Sequence, residues 1–212
     1  MTVYRLRLAV ASDAEAICRI YNQGIEDRVA TLETELRTPD ERRQWLASRS
    51  PRHPVIVAEL IEAAELIEGL SAETEPGRTV VAGAVRSAPT EGGLRETGAG
   101  SVSADNPSSP VGWASLNMFN AREAYRFVAD ISVYVERGWR GKGVGRVLLE
   151  KLTELGRAHG YHKLVLSAFP SNAAGMALYA KSGFRTVGIY REQGQLDGKW
   201  VDTIVMEKLL AV

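Results

Sequence analysis

Val128-Ala129-Asp130-Ile131-Ser132-Val133-Tyr134-Val135-Glu136-Arg137-Gly138-Trp139-Arg140-Gly141-Lys142-Gly143-Val144-Gly145-Arg146-Val147-Leu148-Leu149-Glu150 reads as a strand, a glycine-rich turn and a helix. Residues 127–135 are rich in β-branched and aromatic side chains, which suit a pleated strand. From Val144 onward, apolar residues recur at Val147, Leu148, Leu152 and Leu155, the spacing of one helix face. Between the two lies Arg140-Gly141-Lys142-Gly143-Val144-Gly145, whose glycines let the backbone turn sharply and approach a ligand. The first-turn amides of the following helix have no intrahelical partner, so this terminus favours anions, phosphates in particular. Arg137, Arg140, Lys142 and Arg146 add positive charge around it. The spacing excludes two familiar phosphate loops: the lysine precedes the second glycine with no Ser/Thr after it, and the glycines run Gly-x-Gly-x-Gly rather than Gly-x-Gly-x-x-Gly.

With 212 residues, 45% of them hydrophobic and 25% charged, the chain fits one well-packed domain with room for an insertion. Lys+Arg and Asp+Glu balance at 26 each, so no global field points to nucleic acid. Cys18 is the single cysteine; no internal disulfide can form, which fits a reducing, cytoplasmic setting. It reads as a small semi-buried side chain rather than a nucleophile. Residues 1–7 lack the apolar stretch of a signal peptide, and no apolar run approaches the roughly 20 residues of a membrane helix. His53, His159 and His162 show no ligand spacing, so no metal is expected.

Residues 3–10 alternate as a half-buried strand. Ser12 with Glu15 predicts a capping box opening a helix whose inner face carries Ala16, Ile17, Ile20, Tyr21 and Gly24. Thr38-Pro39-Asp40-Glu41 starts a second helix, with a threonine cap, proline at the first turn and early acids. Strands follow at 55–60 and 111–119. Between them, at about 61–110, lies a long insertion. Within it, 63–70 suggests a short helix, 79–85 an extra strand, and 87–110 a loop too poor in apolar residues to offset its ordering entropy. Residues 120–125 read as a polar loop. After the long helix come a strand at 163–168, a helix at 173–181 ended by Gly183, and strands at 184–191 and 200–209 around an Asp197-Gly198 turn. The pattern predicts one α/β (α+β) domain over 1–212 with a mixed central sheet flanked by helices. Trp45, Trp113, Trp139 and Trp200 read as packing residues.

Arg140-x-x-Gly143-x-Gly145 after a strand resembles the pyrophosphate loop of the GCN5-related N-acetyltransferases (GNAT), which bind acetyl-CoA. Asn172-Ala173-Ala174-Gly175-Met176-Ala177-Leu178-Tyr179-Ala180-Lys181-Ser182-Gly183-Phe184 resembles the Asn-x-x-small-x-x-x-Leu-Tyr-x-Lys-x-Gly-Phe signature of the same superfamily. The resemblance covers residues 3–60 and 111–209 and leaves the insertion outside the pattern. A narrower likeness, to phosphinothricin and arsinothricin N-acetyltransferases, is carried by Val111-Gly112-Trp113-Ala114, residues 120–125 and 129–135, Ile20-Tyr21-Asn22 with Ile25-Glu26, and Gly198-Lys199-Trp200-Val201-Asp202. It implies a GNAT fold and acetylation of the α-amino group of a small amino-acid-like substrate, a resistance activity, in a protein that commonly forms homodimers. The same layout serves other amines in related chains (polyamine, aminoglycoside, protein N-terminus), and a CoA-binding module without turnover is the non-enzymatic alternative.

The resemblance also implies roles. Val133, Tyr134, Val135, Arg140, Gly141, Lys142, Gly143, Val144, Gly145, Arg146 and Asn172 would hold acetyl-CoA, with Asn172 on the pantetheine arm or as a helix cap. Asp130 would be the base that takes the amine proton, unless it pairs with Arg122 or Arg126. A backbone N–H near Val133 or Val135 would meet the oxyanion. Tyr179 would protonate or hydrogen-bond the departing thiolate, unless it is a packed helix residue. Arg122 and Tyr125, and more remotely Arg28, would meet the acceptor's anionic head group, for which arginine's fork is suited.

Overall fold

The computed structural model describes residues 2–61, 79–83 and 109–210. Eight strands form one mixed sheet: β1 (Thr2–Leu8), β2 (Val55–Ile61), β3 (Thr79–Gly83), β4 (Pro110–Met118), β5 (Val128–Val135), β6 (Lys163–Ala168), β7 (Arg185–Leu196) and β8 (Lys199–Leu209). Among the described residues four helices accompany them: α1 (Ala14–Glu26), α2 (Pro39–Ala47), α3 (Val144–Ala158) and α4 (Ala173–Lys181). The spatial order is β3-β1-β2-β4-β5-β6-β8-β7. Every neighbouring pair is antiparallel except β5 and β6, which are parallel and joined through α3, as a parallel pair requires a crossover. This is the mixed, helix-flanked α/β sheet that the sequence pattern predicts.

Strand periodicity sends alternate residues to opposite layers. On β2, Val55 and Val57 join Ile17, Ile20, Tyr21 and Ile25 of α1 and Trp113 of β4 in one cluster. Ile56 and Ala58 join the larger cluster built on Val144, Val147, Leu148, Leu149 and Leu152 of α3. Gly112 makes the close approach of α3 possible, since a Cβ there would lie 2.7 Å from Val144 Cγ1. At the edge of the α1 layer, Arg7 reaches both Asp13 oxygens at 2.7 and 2.8 Å and Glu59 through Nε at 2.9 Å, burying two carboxylates against one guanidinium.

The second helix starts as its sequence predicts: Thr38 accepts from the Glu41 amide at 3.2 Å and the Glu41 carboxylate answers the Thr38 amide at 2.6 Å. The first does not. A 3₁₀ turn at Ala11–Asp13 precedes α1, and Asp13, not Ser12, holds the chain there, accepting from the Val10 amide at 2.8 Å. Arg7 draws Asp13 inward, which the local capping pattern could not reveal. Cys18 is fully buried, with its thiol donating to the Arg37 carbonyl at 3.0 Å. The expected extra strand is β3, paired on β1; the expected helix at 63–70 and most of the loop at 87–110 lie outside the described residues. β7 runs five residues past its predicted end. An irregularity between Tyr190 and Gly194, with Glu192 at φ 49°, lets the ladder resume before the Asp197-Gly198 turn. Trp200 is 59% exposed on this hairpin, so it does not pack within the chain.

Candidate active site

The site lies where β5 parts from β6. The two strands are in register only at Val128–Lys163, Ala129–Leu164 and Asp130–Val165. Beyond that, β5 stays on β4 while β6 stays on β8. The gap opens into a cleft of about 650 Å³ and an adjoining cavity of about 140 Å³, with Val29, Ala30, Val133, Tyr134, Asn172 and Tyr179 lining both.

The ladder decides which backbone groups face the gap. The Glu136 amide donates to Val111 on β4 at 3.0 Å, so by antiparallel alternation Tyr134 and Ser132 also point to β4. The N–H groups of Val133 and Val135 point the other way, into the gap. Residues in this section of β5 therefore offer donors that no neighbouring strand uses.

At the far end of the cleft the glycine loop closes onto α3. Gly141 and Gly143 take φ of 77° and 91°, a region costly for any side chain, and Gly143 caps the helix. Intrahelical bonding begins with the Arg146 and Val147 amides, which reach the Gly143 carbonyl at 3.1 and 3.2 Å. The amides before them have no intrahelical acceptor. Tyr4 anchors the loop by donating to the Lys142 carbonyl at 2.8 Å, and Lys142 Nζ lies 4.6 Å from the centre of the Trp139 ring. The charges are partly committed. Asp27, at the end of α1, takes Arg137 and Arg140 at 2.6 Å each, and these bonds hold its carboxyl below the usual range. Arg146 pairs with Glu150 at 3.4 Å across an exposed helix turn.

The other wall is α4. Asn172 caps it, accepting from the Gly175 amide at 2.9 Å, and its amide donates to the Val29 carbonyl at 3.2 Å. Gly175 is the small residue this arrangement demands, because a Cβ there would lie 2.7 Å from Asn172 Nδ2. Gly145 gives Leu178 the same room, since a Cβ there would lie 2.9 Å from Leu178 Cδ2. Tyr179 is enclosed beside Phe184, and burial pushes its hydroxyl up to about 12. Tyr134 is stacked on Trp113 with centroids 4.7 Å apart and packs on Tyr21 at 4.9 Å.

Asp130 lies in the smaller cavity with Tyr179 and Ser132. Desolvation pushes its carboxyl up to about 6, against hydrogen bonds from the Asn117 side chain and the Ile131 amide. Among the described residues no ion pair involves Asp130. Arg126 instead pairs with Glu123 and stacks over Phe127, and Arg122 bonds through its backbone, its amide donating to Asn120 at 3.0 Å and its carbonyl accepting from the Tyr125 amide at 2.9 Å. Arg122 and Tyr125 lie in the β4–β5 connection, which leaves the sheet at the Asp130 end of β5, and neither lines the cleft. Arg28 is engaged elsewhere: it grips Asp197 in the β7–β8 turn at 2.9 and 3.1 Å. Sequence reading missed Val29, Ala30, Ser132, Ser167 and Asn117, which carry no motif and meet only through the fold.

A profile of the acetyltransferase (GNAT) family matches residues 15–184. The chain belongs to the GNAT acetyltransferase family. It is an N-acetyltransferase with acetyl-CoA as its acyl donor. It is 28% identical to a phosphinothricin N-acetyltransferase of Streptomyces coelicolor over 97% of this chain and 96% of that one. It is 36% identical to an L-methionine sulfoximine/L-methionine sulfone acetyltransferase of Pseudomonas paraeruginosa over 50% of this chain and 62% of the relative. A Sinorhizobium meliloti phosphinothricin acetyltransferase solved with acetyl-CoA shares the fold, with a TM-score of 0.71, 24% identity, and coverage of 97% and 87%.

The GNAT cleft fits a CoA-type ligand by its own features: unused first-turn amides at one end, unused strand amides along the gap, and glycines where side chains would clash. Gly143→Ala should lower unfolding stability by about 1–2 kcal/mol and weaken CoA binding at least tenfold, checked by thermal unfolding and by calorimetry with CoA.

Proposed function

We propose that this GNAT enzyme acetylates the α-amino group of a small amino-acid-like acceptor of the phosphinothricin or arsinothricin kind, a resistance-type activity. The observation that carries the reading is Asp130, a half-buried carboxyl pushed up to about 6 in the small cavity that opens off the gap between β5 and β6. Acetyl-CoA, when bound, supplies an activated acetyl group, and the acceptor nitrogen must be neutral to attack it. An α-ammonium loses its proton at about 8, so a carboxylate of about 6 can take that proton at a modest uphill cost of about 3 kcal/mol.

In this reading the Val133 and Val135 amides meet the negative charge that develops on the acetyl oxygen, as preorganised donors in a site away from bulk water. Tyr179 acts as a hydrogen-bond donor to the departing sulfur. At about 12 its hydroxyl is a weaker acid than a thiol, so it stays protonated while stabilising a thiolate. Asn172 and the Arg140–Arg146 loop hold the CoA arm and pyrophosphate. Arg122 and Tyr125, in the connection beside the Asp130 end of β5, meet the acceptor's anionic group. Arg28 serves the site through Asp197, holding the 27–32 segment in place. Relatives named for phosphinothricin and for methionine sulfoximine or sulfone support an acceptor of this size and charge.

Two copies would associate through the β7–β8 hairpin, where Val187, Ile189, Tyr190 and Trp200 are 43–59% exposed on one edge of the sheet. A monomer mass by light scattering at micromolar concentration would exclude this.

The deciding measurement is CoA thiol release with phosphinothricin, arsinothricin, methionine sulfoximine, spermidine and a short peptide. Release with the amino-acid analogues alone supports the reading; release only with spermidine or peptide removes the acceptor assignment. Asp130→Asn should lower kcat/KM by about 10²–10⁴-fold and abolish the acid limb expected of the wild type near pH 6. The sign for stability is opposite. A carboxyl raised in the folded state contributes stability below its unfolded pKa and loses it as pH rises through about 6. Above that pH Asp130→Asn should therefore be more stable than wild type, by about 3 kcal/mol, measured by urea unfolding at pH 8.

A further inference from the structure

A row of polar side chains crosses β4 and β5 on the face that carries Asp130. Asn117 lies directly opposite Asp130, and Ser115 directly opposite Ser132. Ser115 is wholly buried. Buried polar groups in a sheet interior persist only when each is satisfied, and here each is. Asn117 Oδ1 accepts from Ser115 Oγ at 3.0 Å and from an Arg49 terminal nitrogen at 3.0 Å.

These two bonds fix the amide. A guanidinium can only donate, so the Asn117 oxygen must face Arg49 and its NH₂ must face away. The NH₂ donates to Ser132 Oγ at 3.1 Å, and the ladder sets the Asn117 side chain directly opposite the Asp130 carboxyl, whose charged form it favours. Arg49 cannot swing off: its Nε donates to the His53 carbonyl at 2.9 Å, its terminal nitrogen reaches the Leu116 carbonyl, and it lies over the Trp45 ring. Among the described residues no carboxylate pairs with it.

We propose that Asn117, locked in one orientation by Arg49 and Ser115, is a positioning residue that aims its amide at the Asp130 carboxylate. The inference rests on Asp130 being the base. Asn117 touches no reacting atom. The other titratable groups lining the same cavity, Tyr134 and Tyr179, are pushed up by burial and stay neutral across the working range, so they leave Asp130 to this network. A purely structural role, stitching β4 to β5, would not make the base's protonation depend on Asn117.

Asn117→Asp is the sharpest variant, because it keeps acceptors for Arg49 and Ser115 but turns the donor toward Asp130 into a carboxylate. The midpoint of the acid limb of kcat/KM should move up by at least about one pH unit, about a fivefold loss of activity at pH 6, with KM for acetyl-CoA within twofold of wild type. Carbon-13 carboxyl NMR of the ligand-free protein should show the Asp130 titration displaced the same way. Ser115→Ala, which removes one of the two bonds fixing the amide, should move the midpoint in the same direction by less, and serves if Asn117→Asp does not fold. An unmoved Asp130 titration in the variants that fold overturns the proposal. If Asp130→Asn retains an acid limb near pH 6, Asp130 is not the base; the NMR titration then still decides whether Asn117 controls its ionisation.

Discussion

The early parting of β5 from β6 is the constraint on which the site depends. A parallel pair that stayed in register would satisfy the Val133 and Val135 amides with β6 carbonyls and fill the space between the strands. Pairing stops after Asp130, while β6 stays on β8 through Ala168 and β5 stays on β4 through Val135. Beyond that point each strand follows its antiparallel neighbour and the two diverge. The gap is therefore a property of the sheet order rather than of any loop. Backbone donors left unpaired there are the groups an acyl-transfer site needs, placed without side-chain entropy.

The same gap explains the polar interior next to it. Asp130 is poorly solvated where it stands, and the sheet answers with a donor network instead of a counter-ion. A paired arginine would have held the carboxyl far below 6 and left it a weak base. An aspartate without those donors would have risen further. Asn117, a neutral donor oriented by a distant cation, sits between these extremes. Tyr179 faces the same cavity with the opposite assignment, a hydroxyl kept protonated by burial. One environment thus holds a carboxyl at about 6 and a hydroxyl at about 12, the separation that the proposed base and donor roles require.

Much of this was legible in the sequence, for identifiable reasons. α3 and α4 carry strong local signals: the 3.6 period from Val144 to Leu155, the glycines before it, and Asn172 and Gly183 at the ends of the shorter helix. The strand bearing Asp130 was placed because β-branched residues dominate it. What failed to show were features made by distant contacts. Asp13 displaced Ser12 at the start of α1 because Arg7, from the neighbouring strand, buries it. Arg28 looks like a free cation until the fold brings Asp197 to it from the other end of the chain. Asn117 has no motif, and its meaning comes from the ladder that sets it opposite Asp130.

The segment after α1 shows how such distant contacts set both halves of the cleft at once. Asp27 grips the arginines of the glycine loop, Arg28 the β7–β8 turn, and the Val29 carbonyl accepts from Asn172 at the cap of α4. Leu32 packs on Gly194, where a Cβ would lie 2.9 Å from its Cδ2. The ion pairs among these are partly exposed and each adds little stability. Their common effect is geometric: three elements that share no ladder with one another are referred to one short stretch of backbone. Val29 and Ala30 then line both cavities, so a displacement that widens the cofactor cleft also moves the wall beside Asp130. Acceptor and acyl-donor geometry are coupled through main chain rather than through a conserved-looking side chain, and a motif-based reading of this segment finds almost nothing there.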